Sequence, residues 1–293
     1  MILDQGERVS DAILDHVKDL PVMPAVAARV MNLKEGGKEI SFKELEGIIK
    51  LDPGLTAKIL KIANSALYAR QREITSLQMA ITLLGFNNIK SLVLLLTASA
   101  MFPRLGKSSF HAGFWRHSIL SAFLSRSIAL RCAKGAGAEE AFIAGLLHDI
   151  GQAVLYNSSP EQYARALDAE KLGALALETI EDQMFGTNHR LIGGAVLRKW
   201  NFPDLYADVA EEHESLNITS PHKTTVIMVS AACLISEKIV DRSPAPLKDD
   251  LLAKLLPYTC LAGTDPDALV QSYGAELSQD PLYREYQGIF SVG

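Results

Sequence analysis

A histidine and an aspartate in the middle of the chain are the residues most able to do chemistry. His148 and Asp149 are adjacent and follow an apolar stretch at residues 144–147, so both polar groups would lie near a core. Burying two such groups without partners is costly. A metal ion would offset this cost, because neutral imidazole and carboxylate groups suit zinc, manganese and iron. The pair therefore predicts either a metal site or a structural, hydrogen-bonded pair.

Three further histidines lie on neighbouring predicted helices. His117 falls on the long helix before the pair, His189 at the start of a later helix, and His213 near the end of the next one. A helical fold could bring these residues together in one cleft. We predict a ligand set for one or two transition-metal ions, namely iron, manganese or zinc, and no organic cofactor. Its members are His117, His148, Asp149, His189 and His213.

The chemistry of such a site depends on cationic neighbours. A metal phosphohydrolase uses its metal to activate water and needs cationic side chains to hold the phosphate. Arg116 and Arg190 stand beside candidate ligands and offer such charges. An arginine in this position is more often a solvated or ion-paired surface group, and we prefer that interpretation.

The elements that position these residues are predicted to be helices along the whole chain. Apolar residues recur at three- and four-residue steps between prolines and glycines, while alternating strand patterns are nearly absent. Asp52 followed by Pro53 predicts a helix start, with the helix running to Ala66. In the second half we predict helices over residues 114–132, 139–156, 160–171, 175–185, 189–200, 203–214 and 223–240. The tail from Asp249 should hold two or three shorter helices.

The length of 293 residues suits two domains or one large one. Residues 103–113 carry proline, glycine and serine with little apolar periodicity, so we place the boundary there. The predicted fold is all-α, with two packed helical subdomains. They are an N-terminal bundle over residues 1–108 and a second helical block over residues 109–293.

Composition and charge exclude several classes of function. Lysine and arginine number 29 against 34 aspartates and glutamates, so the net charge of −5 lacks the basic footprint of extended nucleic-acid binding. The most apolar stretch, residues 92–102, is too short for a membrane span, which needs about 20 residues. Three cysteines without metal-clip or redox-pair spacing, and a start unlike a secretory signal, predict a cytoplasmic protein.

The order of these motifs resembles the HDOD proteins of bacteria, which belong to the HD superfamily. The superfamily pattern is a histidine on one helix, His-Asp on the next and a later aspartate, and His117, His148 and Asp149 match its first three positions. The most specific match is residues 74–85, Ile-Thr-Ser-Leu-Gln-Met-Ala-Ile-Thr-Leu-Leu-Gly. The resemblance covers nearly the whole chain. It implies an all-helical signal-transduction protein whose second block is an HD-type bundle, often without demonstrable catalysis.

The chain departs from its catalytic relatives, the HD-GYP phosphodiesterases, at several positions. Cys233 stands where the late metal-binding aspartate is expected, and Glu212 where the first histidine of a His-His pair is expected. Gln152 replaces a lysine common in active members, and no Gly-Tyr-Pro segment follows Glu214. A thiolate at Cys233 could still bind a soft metal, whereas free cysteine in an apolar helix usually acts as a small buried hydrophobe.

Two functions follow from this resemblance. The first is a regulatory module that acts through signalling proteins, without nucleic-acid or membrane partners, and keeps at most a residual metal site. The second is a metal-dependent phosphohydrolase that acts on a nucleotide. An enzyme should keep a complete ligand set and a phosphate-binding cation, so the departures favour the regulatory function. The sequence leaves the oligomeric state open.

Overall fold

The structure is a computed structural model that describes residues 11–13, 15–18, 20, 22–33, 38–65, 73–102, 105, 108–133, 137–172, 175–240 and 246–290. Within these ranges the regular structure is helical and contains no strand, which confirms the predicted all-α class. The described residues fall into two compact units. One lies within Pro21–Pro103, and the other combines Met1–Leu20 with Arg104–Gly293.

The smaller unit contains five helices in its described part. They are α1 (Ala25–Met31), α2 (Lys38–Ile49), α3 (Pro53–Ala63), α4 (Leu77–Leu84) and α5 (Phe86–Ala100). The Asp52 carboxylate accepts a hydrogen bond from the Leu55 amide at 2.9 Å, so α3 begins where the sequence predicts. The α5 helix is the core of this unit, since residues 92–95 are fully buried.

Gly85 separates α4 from α5. Its φ of +86° lies in the left-handed region, where a side chain would be strained, and this explains the glycine at this sharp turn. No single helix of the described residues is long and apolar enough to cross a membrane. Only α4 and α5 taken together reach that length and composition, and they are bent by 111° at their junction.

Among its described residues from 108 to 290, the larger unit contains eleven α-helices. They are α6 (Ser109–Cys132), α7 (Ala138–Leu147), α8 (Ile150–Ser158), α9 (Pro160–Lys171), α10 (Leu177–Phe185), α11 (His189–Lys199), α12 (Asp204–Glu212), α13 (Lys223–Ile239), α14 (Pro246–Leu255), α15 (Pro266–Gln279) and α16 (Pro281–Phe290), with a short 3-10 helix at Leu256–Tyr258. The long α6 helix packs against α7, α13 and α16, while α11 packs against α8 and α12. These contacts place the predicted site in the core of the unit.

One predicted helix, over residues 139–156, is wrong because the chain breaks at His148 and Asp149 into α7 and α8. In a continuous helix the Gly145 carbonyl would accept a hydrogen bond from the Asp149 amide. Here the ring of His148 contacts that carbonyl instead, with Nδ1 2.8 Å from the oxygen. The His148 ring therefore contacts the backbone at the end of α7, and this contact also fixes the orientation of the ring.

Two cysteines that looked unrelated in the sequence form a disulfide. Cys132, the last residue of α6, is bonded to Cys260, which lies 128 residues further along the chain. Cys233 is buried and takes no part in this disulfide. Sequence spacing could not reveal a pair so distant, and the odd number of cysteines is no longer an argument for a reducing compartment.

Candidate metal centre

Four histidine rings converge on the carboxylate of Asp149. The Nε2 atoms of His117 and His213 each lie 3.3 Å from an oxygen of Asp149, that of His148 lies 3.4 Å away and that of His189 lies 3.8 Å away. All five side chains are buried, and the most exposed residue, Asp149, is only 3% exposed. The structure thus brings together every residue of the predicted ligand set.

Helix termini position most of this cluster. Asn188 caps α11 by accepting a hydrogen bond from the Leu191 amide at 3.1 Å, so His189 is the first helical residue. His213 directly follows the last residue of α12, and His148 and Asp149 occupy the break between α7 and α8. His117 alone lies in the middle of a helix, α6.

The Nδ1 atoms of His148 and His213 are held by backbone carbonyls. The acceptors are Gly145 at 2.8 Å and Ala210 at 3.0 Å. A carbonyl can only accept, so each Nδ1 carries a proton and Nε2 is the ring nitrogen left to bind a metal. Both Nε2 atoms face Asp149.

The other two rings are fixed by side chains. His117 Nδ1 lies 2.7 Å from Ser236 Oγ, and this hydroxyl also contacts the Cys233 carbonyl at 3.0 Å and Ser121 Oγ at 2.9 Å. His189 Nδ1 donates to the Glu181 carboxylate at 2.6 Å. Metal-bound histidines usually donate their second ring N–H in this way, to a carbonyl, a carboxylate or another fixed acceptor.

Several buried polar atoms of the cluster have no hydrogen-bond partner among the described residues. These atoms are Asp149 Oδ1, His189 Nε2 and His213 Nε2. The Nε2 atoms of His117 and His148 also approach each other to 3.3 Å. Unpaired buried polar atoms cost free energy that a cation would remove. The donor set therefore fits a transition metal.

The electrostatics of the cluster suit this donor set. Burial lowers the pKa of His148 to about 3 despite the Asp149 charge, so its ring is neutral. Burial acts to raise the pKa of Asp149, but the imidazole groups around it, His148 foremost, outweigh burial and hold this pKa well below its usual value. Burial also opposes protonation of His189, yet the Glu181 carboxylate outweighs it and raises the pKa to about 9. A cation at His189 would therefore displace a proton.

Comparison with known proteins assigns the chain to a family. The family model of the HDOD domain matches residues 20–216. The chain belongs to the HDOD family. This match includes all five residues of the cluster and ends before α13, so Cys233 and Ser236 are contributed by a helix outside the matched region.

Solved structures share this HDOD fold over nearly the whole chain. An HDOD domain protein of Geobacter sulfurreducens is 22% identical with a TM-score of 0.72, and the alignment covers 99% of this chain and 100% of that one. A protein of Marinobacter aquaeolei with a proposed role in signal transduction is 18% identical with a TM-score of 0.76, covering 98% and 66%. A proposed phosphohydrolase of Shewanella amazonensis is 22% identical with a TM-score of 0.69, covering 95% and 97%. At these identities the likeness shows the fold.

A curated relative is considerably longer than this HDOD chain. An uncharacterized protein of Treponema pallidum (strain Nichols) is 20% identical over 215 residues. The alignment includes 73% of this chain and 41% of the relative, so the chain spans about two fifths of that protein's length.

The two candidate phosphate-binding arginines of the HDOD domain do not join the cluster. Arg190 donates to Glu178 at 2.6 Å and to the Glu211 carbonyl at 2.8 Å, and the neighbour of His117, Arg116, is exposed. Both arrangements agree with the interpretation of these arginines as surface or ion-paired groups.

Glu212 also lies outside the cluster, although it occupies a position where the catalytic relatives carry a histidine. Its carboxylate accepts hydrogen bonds from the Thr219 amide at 3.0 Å, the Thr219 hydroxyl at 2.8 Å and the Ser220 amide at 3.3 Å. Its role in the structure is to hold the turn that follows α12.

Two further residues contact the cluster. The sequence did not indicate the first, Glu181, and it left two roles open for the second, Cys233. Glu181 is fully buried and accepts hydrogen bonds from the Tyr163 hydroxyl at 2.7 Å and from the His189 amide at 2.8 Å. An acidic residue on the same helical face as Leu177 and Met184 is the signal that could have found it. Cys233 Sγ lies 3.7 Å from His117 Nε2, so the thiol occupies the edge of the cluster.

Proposed function

We propose that this HDOD chain is a regulatory module of signal transduction that acts through contacts with signalling proteins, and that its cluster holds a transition metal as a fixed part of the fold. The residues that hold the metal are His117, His148, Asp149, His189 and His213. A bound iron, manganese or zinc ion supplies the positive charge that pairs with the carboxylate and the inward lone pairs.

The observation that carries this proposal is the burial of the whole ligand set. Each histidine is at most 1% exposed, and Asp149 is 3% exposed. Catalytic metal sites keep an open position for water and substrate, whereas structural sites are closed by protein ligands. A closed cluster favours a role in stability and regulation over turnover.

The alternative function is a metal-dependent phosphohydrolase acting on a nucleotide. The histidine and aspartate donors favour it, because they are the ligands such an enzyme needs. The phosphate must also meet cationic side chains, and Arg190 is already paired with Glu178 while position 152 carries a buried glutamine. Hydrolysis would further require the cluster to open and admit a phosphate group.

A turnover assay tests the choice between these functions. Protein loaded separately with manganese, iron and zinc is incubated with cyclic dinucleotides, guanosine polyphosphates and deoxynucleotides, and the products are separated by chromatography. We expect no hydrolysis, since missing clamps remove transition-state stabilisation. Hydrolysis at about 1 per second or faster, a rate typical of enzymes, would contradict the proposal if His148→Ala and Asp149→Ala each abolish it.

A further inference from the structure

The disulfide between Cys132 and Cys260 lies at the surface of the larger unit. Cys260 is exposed and Cys132 is partly exposed, whereas the third cysteine, Cys233, is only 1% exposed. Exchange of a disulfide with a thiol requires that a thiolate reach one of the two sulfur atoms. A thiolate in solution can therefore attack the Cys132–Cys260 bond while the protein stays folded.

The bond attaches a turn of the tail to the end of α6. This tail turn, residues 256–264, connects α14 to α15 and begins with the short 3-10 helix. Hydrogen bonds within the turn shape it, since the Thr259 hydroxyl donates to the Leu256 carbonyl at 2.8 Å and the Leu261 amide donates to the Thr259 hydroxyl at 3.0 Å. The Cys260 amide donates to Cys132 Sγ at 3.2 Å. Cys132 thus holds the tail turn through a covalent bond and a hydrogen bond.

The contacts next to the disulfide are weak, and those further along the tail are strong. Arg131 forms an ion pair with Glu276 on α15, but the two side chains are 44% and 46% exposed, so water screens their attraction. Deeper in the unit, Tyr286 on α16 packs edge-on against Phe123 with ring centroids 5.4 Å apart. Opening the disulfide should therefore loosen the tail turn and leave α16 packed on α6.

We propose that the Cys132–Cys260 bond is a reversible thiol switch, which a dithiol opens by attack at Cys260 in the folded protein, and that its opening loosens the tail turn. Accessible disulfides are the ones that exchange readily, whereas buried disulfides resist reduction. The switch shares no residue with the five-residue metal cluster, so the two proposals stand or fall separately.

The exchange proceeds in two balanced steps. A thiolate of the dithiol attacks Cys260 Sγ, the bond between the two cysteines breaks, and Cys132 leaves as a thiolate that takes up a proton. The second thiol of the reductant then attacks the mixed disulfide and closes a cyclic disulfide, which releases Cys260 as a thiol. The protein disulfide gains two electrons and the dithiol loses two. The Cys260 amide favours this direction of cleavage, because it already donates to the sulfur that leaves.

Thiol labelling tests whether the bond opens in the folded protein. Oxidised full-length protein is treated with dithiothreitol without denaturant, samples are quenched with iodoacetamide, and the labelled cysteines are located by mass spectrometry. We expect Cys132 and Cys260 to become labelled at a rate that doubles when the dithiol concentration doubles. Cys233 is the internal control, because its burial should keep it unlabelled for as long as the core is folded.

A monothiol identifies the sulfur that is attacked. Glutathione is added briefly to the oxidised protein, and the free thiols are then blocked with iodoacetamide. We expect glutathione on Cys260 and the alkyl group on Cys132. The reverse pattern would overturn attack at Cys260.

Hydrogen exchange measures the effect on the tail turn. We expect amide exchange in residues 256–264 to become at least about tenfold faster on reduction, while exchange in α7 and α8 stays the same. Reoxidation with the cyclic disulfide of dithiothreitol should restore the original rates. The double variant Cys132→Ser, Cys260→Ser should exchange like the reduced wild type and should not respond to the dithiol.

Three results would overturn the switch. Labelling of Cys233 together with the other two cysteines, at a rate that rises in urea below the unfolding transition, would show that the bond opens only when the protein unfolds. Two free thiols at Cys132 and Cys260 in air-oxidised protein would show that the bond does not form. Unchanged exchange in residues 256–264 after complete reduction would show that the bond does not hold the tail turn. None of these results alters the number of metal ions bound at the cluster.

Discussion

Glu181 controls the direction of one ring of the cluster. Its carboxylate receives the His189 Nδ1 proton at 2.6 Å, as backbone carbonyls receive those of His148 and His213. Each acceptor fixes its ring so that Nε2 is on the side of Asp149. A carboxylate also raises the basicity of the ring it orients, which strengthens metal binding.

We expect Glu181→Gln to lower the affinity for metal by about 10- to 100-fold, because the neutral amide orients His189 less strongly. Competition with a chromophoric chelator measures the change. Glu178→Gln is the matched control, since Glu178 lies on the same helix and pairs with Arg190 outside the cluster. Equal affinities of the two variants would show that Glu181 does not position the ring.

Gly151 allows α8 and α11 to cross closely behind the cluster. A Cβ atom there would collide with the His189 carbonyl and approach the Gly193 amide, and backbone atoms cannot move aside as a flexible side chain can. We expect Gly151→Ala to lower the free energy of unfolding by roughly 1 to 3 kcal/mol or more. Denaturant unfolding measures this.

Gly274→Ala is the control for that substitution. Gly274 lies in α15 and a Cβ atom there would meet nothing within 4 Å, so alanine should be neutral or stabilising by up to about 1 kcal/mol. If both variants unfold at the same denaturant concentration as the wild type, close packing at Gly151 does not limit stability.

Part of the candidate metal centre could be predicted from the residue types in the sequence. His148 and Asp149 could be recognised because two adjacent polar groups follow an apolar stretch, and His117 because of its family position. Glu181 and Glu214 could not, since glutamate on a helix is usually solvated and only the fold shows which carboxylates face a histidine. Such contacts depend on the packing of helices far apart in sequence.

The sequence predicted the first residues of helices better than it predicted breaks within them. The cap at Asp52 and the proline after it located α3, and proline at residue 160 located α9. The break between α7 and α8 carries neither proline nor a helix-ending glycine, because it depends on the contact between the His148 ring and the Gly145 carbonyl. A side chain that competes for a backbone acceptor leaves no periodic signal.

The disulfide joins the end of α6 to the tail. Cys132 and Cys260 are 128 residues apart, so the bond restricts a long stretch of the unfolded chain. We expect a dithiol reductant to lower the free energy of unfolding by roughly 2 to 4 kcal/mol in oxidised protein. Urea unfolding with and without the reductant measures the difference.

The double variant Cys132→Ser, Cys260→Ser is the control for the disulfide. It should unfold like the reduced wild type and should not respond to the reductant. A wild-type unfolding midpoint that does not change on reduction would show that the bond does not contribute to stability.

The larger unit extends beyond the residues that the HDOD family model matches. The HDOD match ends at residue 216, yet the tail covers α6, the helix that carries His117. Phe290 stacks on Trp115 with ring centroids 5.1 Å apart, and Tyr286 packs edge-on against Phe123 at 5.4 Å. Residues outside the matched region thus complete the packing of α6.

Elemental analysis of protein purified without an affinity tag tests whether the larger unit is built around a metal. Protein as isolated, and chelator-treated protein refilled with iron, manganese or zinc, is analysed beside Asp149→Ala. We expect at least about one metal equivalent in the wild type, and strong loss in Asp149→Ala, because the buried ligands bind once deprotonated. Less than about a tenth of an equivalent in wild-type protein, with none of the three metals able to refill it, would show that the cluster does not hold a metal.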